Sequence, residues 1–213
     1  MDVDAKLPVS LFEGKTILVT GGTGSFGGYF IDYLLDKKFK EIRVFSRDEL
    51  KQDDMRLRLQ NSKVKFYIGD VRDRSSVDDA MPGVDYVFHA AALKQVPACE
   101  FFPMQAMQTN VIGSQNVIES AISHGVSKVV SLSTDKAVYP VNALGITKAL
   151  MEKVIQSTSR KLSNGKTVLA LVRYGNVLFS RGSVIPLFMK LIRENKPLTV
   201  TEPRMTRFLL PLK

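Results

Sequence analysis

The chain has 213 residues, 45% of them hydrophobic, which suits one large domain with an extensive core and excludes a disordered chain. Its single cysteine rules out an internal disulfide, its two histidines give no metal-ligand spacing, and its longest apolar runs fall far short of the ~20 residues of a membrane span. Thirty Lys and Arg against 21 Asp and Glu leave +9, scattered over several segments, which favours small anionic ligands or a plain solvated surface over nucleic acid.

In chain order, the opening "MDVDAKLPVSLFEGK" lacks a basic stretch followed by an apolar core, so a cytoplasmic protein without a leader or membrane insertion is expected. The first strand, "TILVT" (16–20), runs straight into a glycine loop and a helix predicted over 25–37. The loop reads T-G-x-x-G-x-x-G. Gly21 suits a tight turn, Gly24 admits the backbone near a pyrophosphate, and Gly27 allows close packing of helix on strand. Thr23, Ser25 and Phe26 fill the positions between, and the whole points to a dinucleotide.

The second strand, "EIRVFS" (41–46), ends without the acidic residue that would accept hydrogen bonds from a ribose 2′-hydroxyl. Ser46, Arg47 and Lys51 stand there instead, and a hydroxyl with two cations suits the 2′-phosphate of NADP better than NAD. The alternative stays open that Arg47 and Lys51 only begin a solvated helix (48–60), with Asp48 beside them. After the third strand, "VKFYIG" (64–69), Asp70 can meet the adenine amino group with Val71 next to it, and a short helix is predicted over 74–80.

The fourth strand, "VDYVFHA" (84–90), leads into "HAAALK", where Ala90, Ala91 and Ala92 let a flat ring or phosphate approach the backbone and Lys94 supplies a cation. His89 reads as a packed strand-end residue and not a base. In the helix expected over 104–124, Asn110 either braces the site or is a satisfied polar residue at the helix surface. The fifth strand, "KVVSLS" (128–133), is followed by Thr134, Asp135 and Lys136, and then by a helix over 143–162 that holds Leu144 and Lys148. After the sixth strand, "TVLALVR" (167–173), come "YGNV", a helix over 184–195 and a strand over 198–201. Strict alternation of strands and helices, with strands apolar on both faces, predicts a doubly wound α/β fold with a parallel sheet.

Together "TGGTGSFG", "GDVRD", "HAAALKQVP", "STDKAVYPVN" and "RYGNV" resemble the extended short-chain dehydrogenase/reductases, which have a Rossmann fold. More narrowly, "FSRDELKQDDMR", "STDKAVYPVNALGITKALMEKV", "RGSVIPLF" and "MTRF" are similar to the bacterial UDP-N-acetylglucosamine 4,6-dehydratases that invert C5, of the capsular-polysaccharide type. The resemblance runs from about residue 14 to 208. It implies an NADP-binding Rossmann domain over 1–177 and, from 178 to 213, the start of a small C-terminal sugar-nucleotide lobe that is expected to be largely missing, since "RFLLPLK" leaves apolar side chains without a partner.

The resemblance also implies a chemistry: oxidation of UDP-N-acetylglucosamine at C4, loss of water across C5 and C6, then return of the hydride to C6 with protonation of C5 from the other face. The product would feed capsule or O-antigen, with C3 epimerisation as a possible extension, and the protein would assemble as a homo-oligomer, dimer to hexamer. In the wider superfamily a Tyr stands four residues before the Lys on one helix face; here Lys148 is present but the earlier position is Leu144, where the similar dehydratases carry an apolar methionine.

By resemblance, Lys136 is the C5 base, Asp135 protonates the departing C6 hydroxyl and needs an elevated pKa, Thr134 hydrogen-bonds the C4 oxygen, and Lys148 holds the nicotinamide ribose. The order of Asp135 and Lys136 stays open, and a water relayed to Lys136 or Lys148 is the simplest acceptor of the C4 hydroxyl proton. Tyr174 is carried over beside the cofactor, Lys94 to both ligands, and Asn176, Arg181, Ser183, Val184 and Arg207 to the sugar nucleotide. The rival reading is a noncatalytic NADP-binding regulator or assembly protein on the same fold.

Overall fold

Alternate residues of the first strand face opposite ways, and that alternation builds two cores. A computed structural model of the chain describes residues 9–162, 165–180, 182–200 and 202–211. β1 (Thr16–Thr20) is buried along its whole length, so Leu18 enters one hydrophobic cluster while Ile17 and Val19 enter another. It lies between β2 (Glu41–Ser46) and β4 (Tyr86–His89), with β3 (Val64–Ile68) outside β2, and β5 (Lys128–Leu132) and β6 (Val168–Val172) beyond β4. The order β3-β2-β1-β4-β5-β6 is parallel throughout, and the reversal between β1 and β4 opens a crevice at the carboxyl ends of the strands.

One face of the sheet is covered by α1 (Ser25–Leu35) and α2 (Glu49–Leu59) through Ile31, Leu34 and Met55. On the other face, α3 (Arg74–Ala80), α6 (Gly113–Ser123) and α7 (Ala143–Lys161) bring Val77, Val117, Ile118, Met151 and Ile155 against Leu18, Val87 and Val129. Helix starts follow their caps: Asp48 accepts from the Lys51 amide, Asp73 from Ser75, and Asn142 from Gly145.

Three expectations are corrected, and one helix is added. The helix read as continuous over 104–124 is α5 (Pro103–Met107), a π-helical turn over Gln108–Ile112, and α6. After β4 lies α4 (Val96–Phe101), to which the sequence assigns no element; it is too short for a periodic signal and has Pro97 in its first turn. α8 (Val184–Arg193) stops two residues early because Asn195 takes a left-handed φ of +51°, with the Lys196 amide donating to the Leu191 carbonyl. No strand forms over 198–200; the later pairing is a short parallel ladder between β7 (Asn176–Val177) and β8 (Leu209–Leu210).

Candidate active site

A cleft of about 650 Å³ opens along the carboxyl ends of the parallel strands. At its floor, Gly21 has a φ of +66°, and a Cβ there would lie 2.7 Å from the Ala91 amide nitrogen. A Cβ on Gly27 would lie 2.5 Å from the Gly21 carbonyl oxygen, so only glycine lets α1 start this close to the loop. With no acidic residue in its first turn and no side-chain cap at Gly24, α1 turns the positive end of its dipole to the cleft. This bare, positively polarised cradle fits a diphosphate.

At the end of β2, the Thr23 hydroxyl donates to Ser46 Oγ at 3.0 Å, and the buried Gln52 amide donates to the Ser46 and Tyr67 carbonyls, fixing β2 to β3. Asp48 is committed to capping α2 and to the Lys51 ammonium, which leaves no free carboxylate at the 2′ position. Arg47 is half-exposed and reaches Asp70 Oδ2 at 3.4 Å. Burial pushes the Asp70 carboxyl up, but hydrogen bonds from Arg72 and the charge of Arg47 outweigh it and hold the group below the usual carboxylate range.

His89 is buried at the end of β4, where Nδ1 lies 2.7 Å from the Thr20 hydroxyl and Nε2 2.8 Å from the Ser114 hydroxyl. Because Ser114 already donates to the Asn110 carbonyl, its oxygen accepts from His89 Nε2–H, and Nδ1 accepts from Thr20. Burial, with the nearby Lys148 charge, drops the imidazole pKa to about 3. It is the packed strand-end residue the sequence suggests, though satisfied by hydroxyls and not by apolar neighbours. Asn110 is fully buried: its carboxamide accepts from the Leu93 amide and donates to the Leu93 carbonyl and to Thr147 Oγ1. Placed among the cofactor contacts by its sequence, it does not line the cleft; it clamps the loop after β4 onto α7, and its neighbour Thr109 lines the cleft instead.

After β5, Lys136 Nζ donates to Asp135 Oδ1 at 3.0 Å and to Asn176 Oδ1 at 2.8 Å, and the Thr134 hydroxyl donates to the same Asp135 oxygen at 2.9 Å. Burial pushes the Asp135 carboxyl up, yet the hydrogen bonds from Lys136 and Thr134 prevail and hold it low. The elevated carboxyl that a proton donor requires is therefore not what this arrangement provides, and Asp135 lies behind Lys136, off the cleft wall. Lys148 is buried on α7, with Nζ donating to the Leu132 carbonyl at 2.8 Å; burial brings its pKa down to about 8 against the opposing charge of Glu152. Leu144 lines the cleft one turn earlier and packs with Cys99 and Ala106.

The other expected cofactor residues, Thr23, Gly24, Ser25, Phe26, Ser46, Arg47, Lys51, Asp70, Val71, Ala90, Ala92, Lys94, Lys148 and Tyr174, all line this cleft, together with Gly21, Gly27 and Ala91. Tyr174 stacks on Phe26 with ring centroids 5.3 Å apart, and burial pushes its phenol up. Of the residues carried over to the sugar nucleotide, Asn176, Ser183 and Val184 also line it, and the Ser183 hydroxyl is enclosed with no hydrogen-bond partner among the described residues. Arg207 does not; its guanidinium donates to the Thr206 carbonyl at the surface. Arg181 lies outside the described residues.

Sequence reading missed Glu152, a buried carboxylate gripped by Arg173 at 2.9 and 2.5 Å and by the Ser133 hydroxyl. Its spacing of four from Lys148 on α7 is the available signal, since i and i+4 share a helix face. Among the described residues, no group of His, Cys, Asp or Glu can hold a metal ion, and no helix is long and apolar enough to cross a membrane.

Comparison with known proteins places this geometry. The chain is 61% identical over 206 residues to a protein named UDP-glucose 4-epimerase from Rickettsia prowazekii (strain Madrid E), covering 95% of this chain and 60% of that one. It thus spans about three-fifths of the length of such relatives. Among solved structures, Pen from Bacillus thuringiensis superposes with a TM-score of 0.92 at 42% identity, over 95% of this chain and 62% of that one. The fold is shared with DesIV, a dTDP-glucose 4,6-dehydratase from Streptomyces venezuelae solved with NAD and TYD bound (TM-score 0.82, 23% identity, 92% of this chain and 68% of that one). The family described as polysaccharide biosynthesis protein matches residues 17–213, nearly the whole chain, and with its short-chain dehydrogenase/reductase fold the chain belongs to that family.

Proposed function

We propose that the protein is an NADP-dependent UDP-N-acetylglucosamine 4,6-dehydratase that inverts C5, a lyase making a 4-keto-6-deoxy sugar nucleotide for a surface polysaccharide such as capsule or O-antigen. The observation that carries this reading is the Asp135–Lys136 pair, held by Asn176 at the end of β5 beside a cradle for a diphosphate. NADP would accept a hydride from C4 of the sugar and return it at C6. The chain's own groups handle the protons. In water the pair is ammonium and carboxylate; when substrate covers it, desolvation favours the neutral tautomer, in which Lys136 is an amine and Asp135 an acid. The amine then takes the C5 proton and the acid gives one, relayed through the Thr134 hydroxyl that lines the cleft, to the leaving C6 hydroxyl; water takes the C4 hydroxyl proton and returns one to the opposite face of C5. Thr134 donates toward the reacting oxygens, and Lys148 keeps positive charge beside the nicotinamide ribose.

For the cofactor, Arg47 and Lys51, whose ion pairs with Asp70 and Asp48 a 2′-phosphate would share, support NADP over NAD. The exposed Phe101, Met104, Ile146 and Leu150 on α4, α5 and α7, with Phe102 at the junction of α4 and α5, support assembly as a homo-oligomer through those helices. The names of the relatives favour a second reading, a sugar-nucleotide 4-epimerase. Epimerisation at C4 only removes and restores a hydride there, so an acid and a base for C5 and C6 would be surplus. Incubation with NADP and UDP-N-acetylglucosamine in D₂O separates the two by mass spectrometry. Dehydration loses one water and takes deuterium from solvent at C5; a product of unchanged mass without deuterium would establish the epimerase and refute the dehydratase.

A further inference from the structure

Three elements that carry the site converge on one buried carboxylate. Glu152 lies one turn beyond Lys148 on α7. Ser133, which donates to it, immediately precedes Thr134, Asp135 and Lys136; Arg173, which grips it with two nitrogens, immediately precedes Tyr174, Gly175 and Asn176. The two segments are also joined directly, since the Ser133 amide donates to the Val172 carbonyl at 2.7 Å and the Asp135 amide to the Tyr174 carbonyl at 3.0 Å. Lys148 adds a further tie between α7 and the end of β5, through the Leu132 carbonyl.

The charge around Lys148 makes the carboxylate more than a strut. His89 faces it from β4 and is neutral, with a pKa of about 3. Cys99 faces it from α4, and burial pushes that thiol up, so it too is neutral. The end of β5 offers only a carbonyl, and Arg173, from the end of β6, pairs with Glu152. Of the groups whose charge reaches Lys148, Glu152 is the anion at neutral pH: burial alone would raise its carboxyl, but Arg173 and Ser133 hold it low.

We propose that Glu152 is a positioning residue: its carboxylate ties the ends of β5 and β6 to α7 and supplies the negative charge that keeps Lys148 an ammonium beside the dinucleotide cleft, with Arg173 sharing and so moderating that charge. The consequence for dinucleotide binding rests on the role of Lys148 given above; the charge coupling itself does not.

The two partners of the carboxylate predict opposite signs. In Glu152→Gln, Lys148 loses its anion while burial still disfavours its charge, so its titration moves down. In Arg173→Gln, the carboxylate is left to Lys148, so the titration moves up. The direct measurement follows the Lys148 side chain by NMR in lysine-labelled protein, with the signal assigned through Lys148→Met and no ligand present. The wild-type midpoint should lie near pH 8, falling by about one unit or more in Glu152→Gln and rising in Arg173→Gln. A purely structural role would move both the same way or neither, and either result overturns the proposal. If Glu152→Gln does not fold, the half-exposed Arg173 variant decides alone: an unmoved or lowered midpoint refutes it. NADP titrations across pH supply the second readout, with binding in Glu152→Gln weakening tenfold or more at about one pH unit lower than in wild type. If dehydration is never observed but the two midpoints diverge, the charge coupling stands and only the assigned reaction fails.

Discussion

Acid should loosen this protein through one imidazole before its carboxylates respond. His89 has a pKa near 3 in the folded chain against 6.5 when solvated, so between these values the unfolded state binds the extra proton and stability rises with pH. Taking the protein from pH 7 to pH 5 protonates His89 in the unfolded chain only, which costs about 2 kcal/mol (RT ln of the ~30-fold proton-binding advantage at pH 5). Asp70, Asp78, Asp135 and Glu152, whose folded values are lowered from 3.8 or 4.5, lose their contribution as pH falls through that lower range, so pH 5 to 7 isolates the histidine. Glutamine at position 89 can accept from Thr20 and donate to Ser114 without titrating. Urea denaturation followed by circular dichroism should show the wild-type midpoint falling across this window, while His89→Gln starts lower by roughly 1 kcal/mol and stays flat. Equal falls in both proteins would refute the reasoning.

Two further outcomes follow from the packing. Gly27→Ala would press a methyl group to 2.5 Å from one backbone oxygen and 2.8 Å from the Gly22 Cα, so it should destabilise the chain by about 1–3 kcal/mol and weaken NADP binding tenfold or more by fluorescence titration; unchanged values would show that the loop gives way. Leu144→Tyr restores the phenol spacing but overpacks Cys99 and Ala106, for a loss of about 1–3 kcal/mol in denaturant and no gain in turnover; a faster dehydration would show that a phenol had been the missing acid–base group.

The parallel sheet is legible because its strands are short β-branched apolar runs, the central one buried on both faces: "TILVT" and "EIRVFS" match β1 and β2 residue for residue. The glycine loop was legible because a strand, three spaced glycines and a helix reinforce one another. What escaped depends on contacts far apart in sequence. Nothing local marks α4, six residues long, or the π-helical turn that carries the buried Asn110. Asn110 reads as a possible surface amide because its three hydrogen bonds go to Leu93 and Thr147, neither nearby in the chain. The strand expected over 198–201 has suitable β-branched residues, but the exposed Leu198 and Val200 have no neighbouring strand, whereas Leu209 and Leu210 do. The elevated pKa expected of Asp135 is not found, because its proton affinity is set by Lys136 and Thr134, a balance that residue types alone do not reveal.

The two-residue ladder between β7 and β8 has a mechanical side. The Asn176 amide donates to the Phe208 carbonyl at 2.7 Å, and the Leu178 amide to the Leu210 carbonyl at 3.0 Å, so the backbone flanking Asn176 is stitched to the far stretch of the chain. Through Oδ1, that same asparagine anchors the Lys136 ammonium. Residues 208–210 thus stand one asparagine side chain and two hydrogen bonds from the lysine, like a latch whose handle sits outside the door, so the aim of Lys136 depends on where that far stretch is seated.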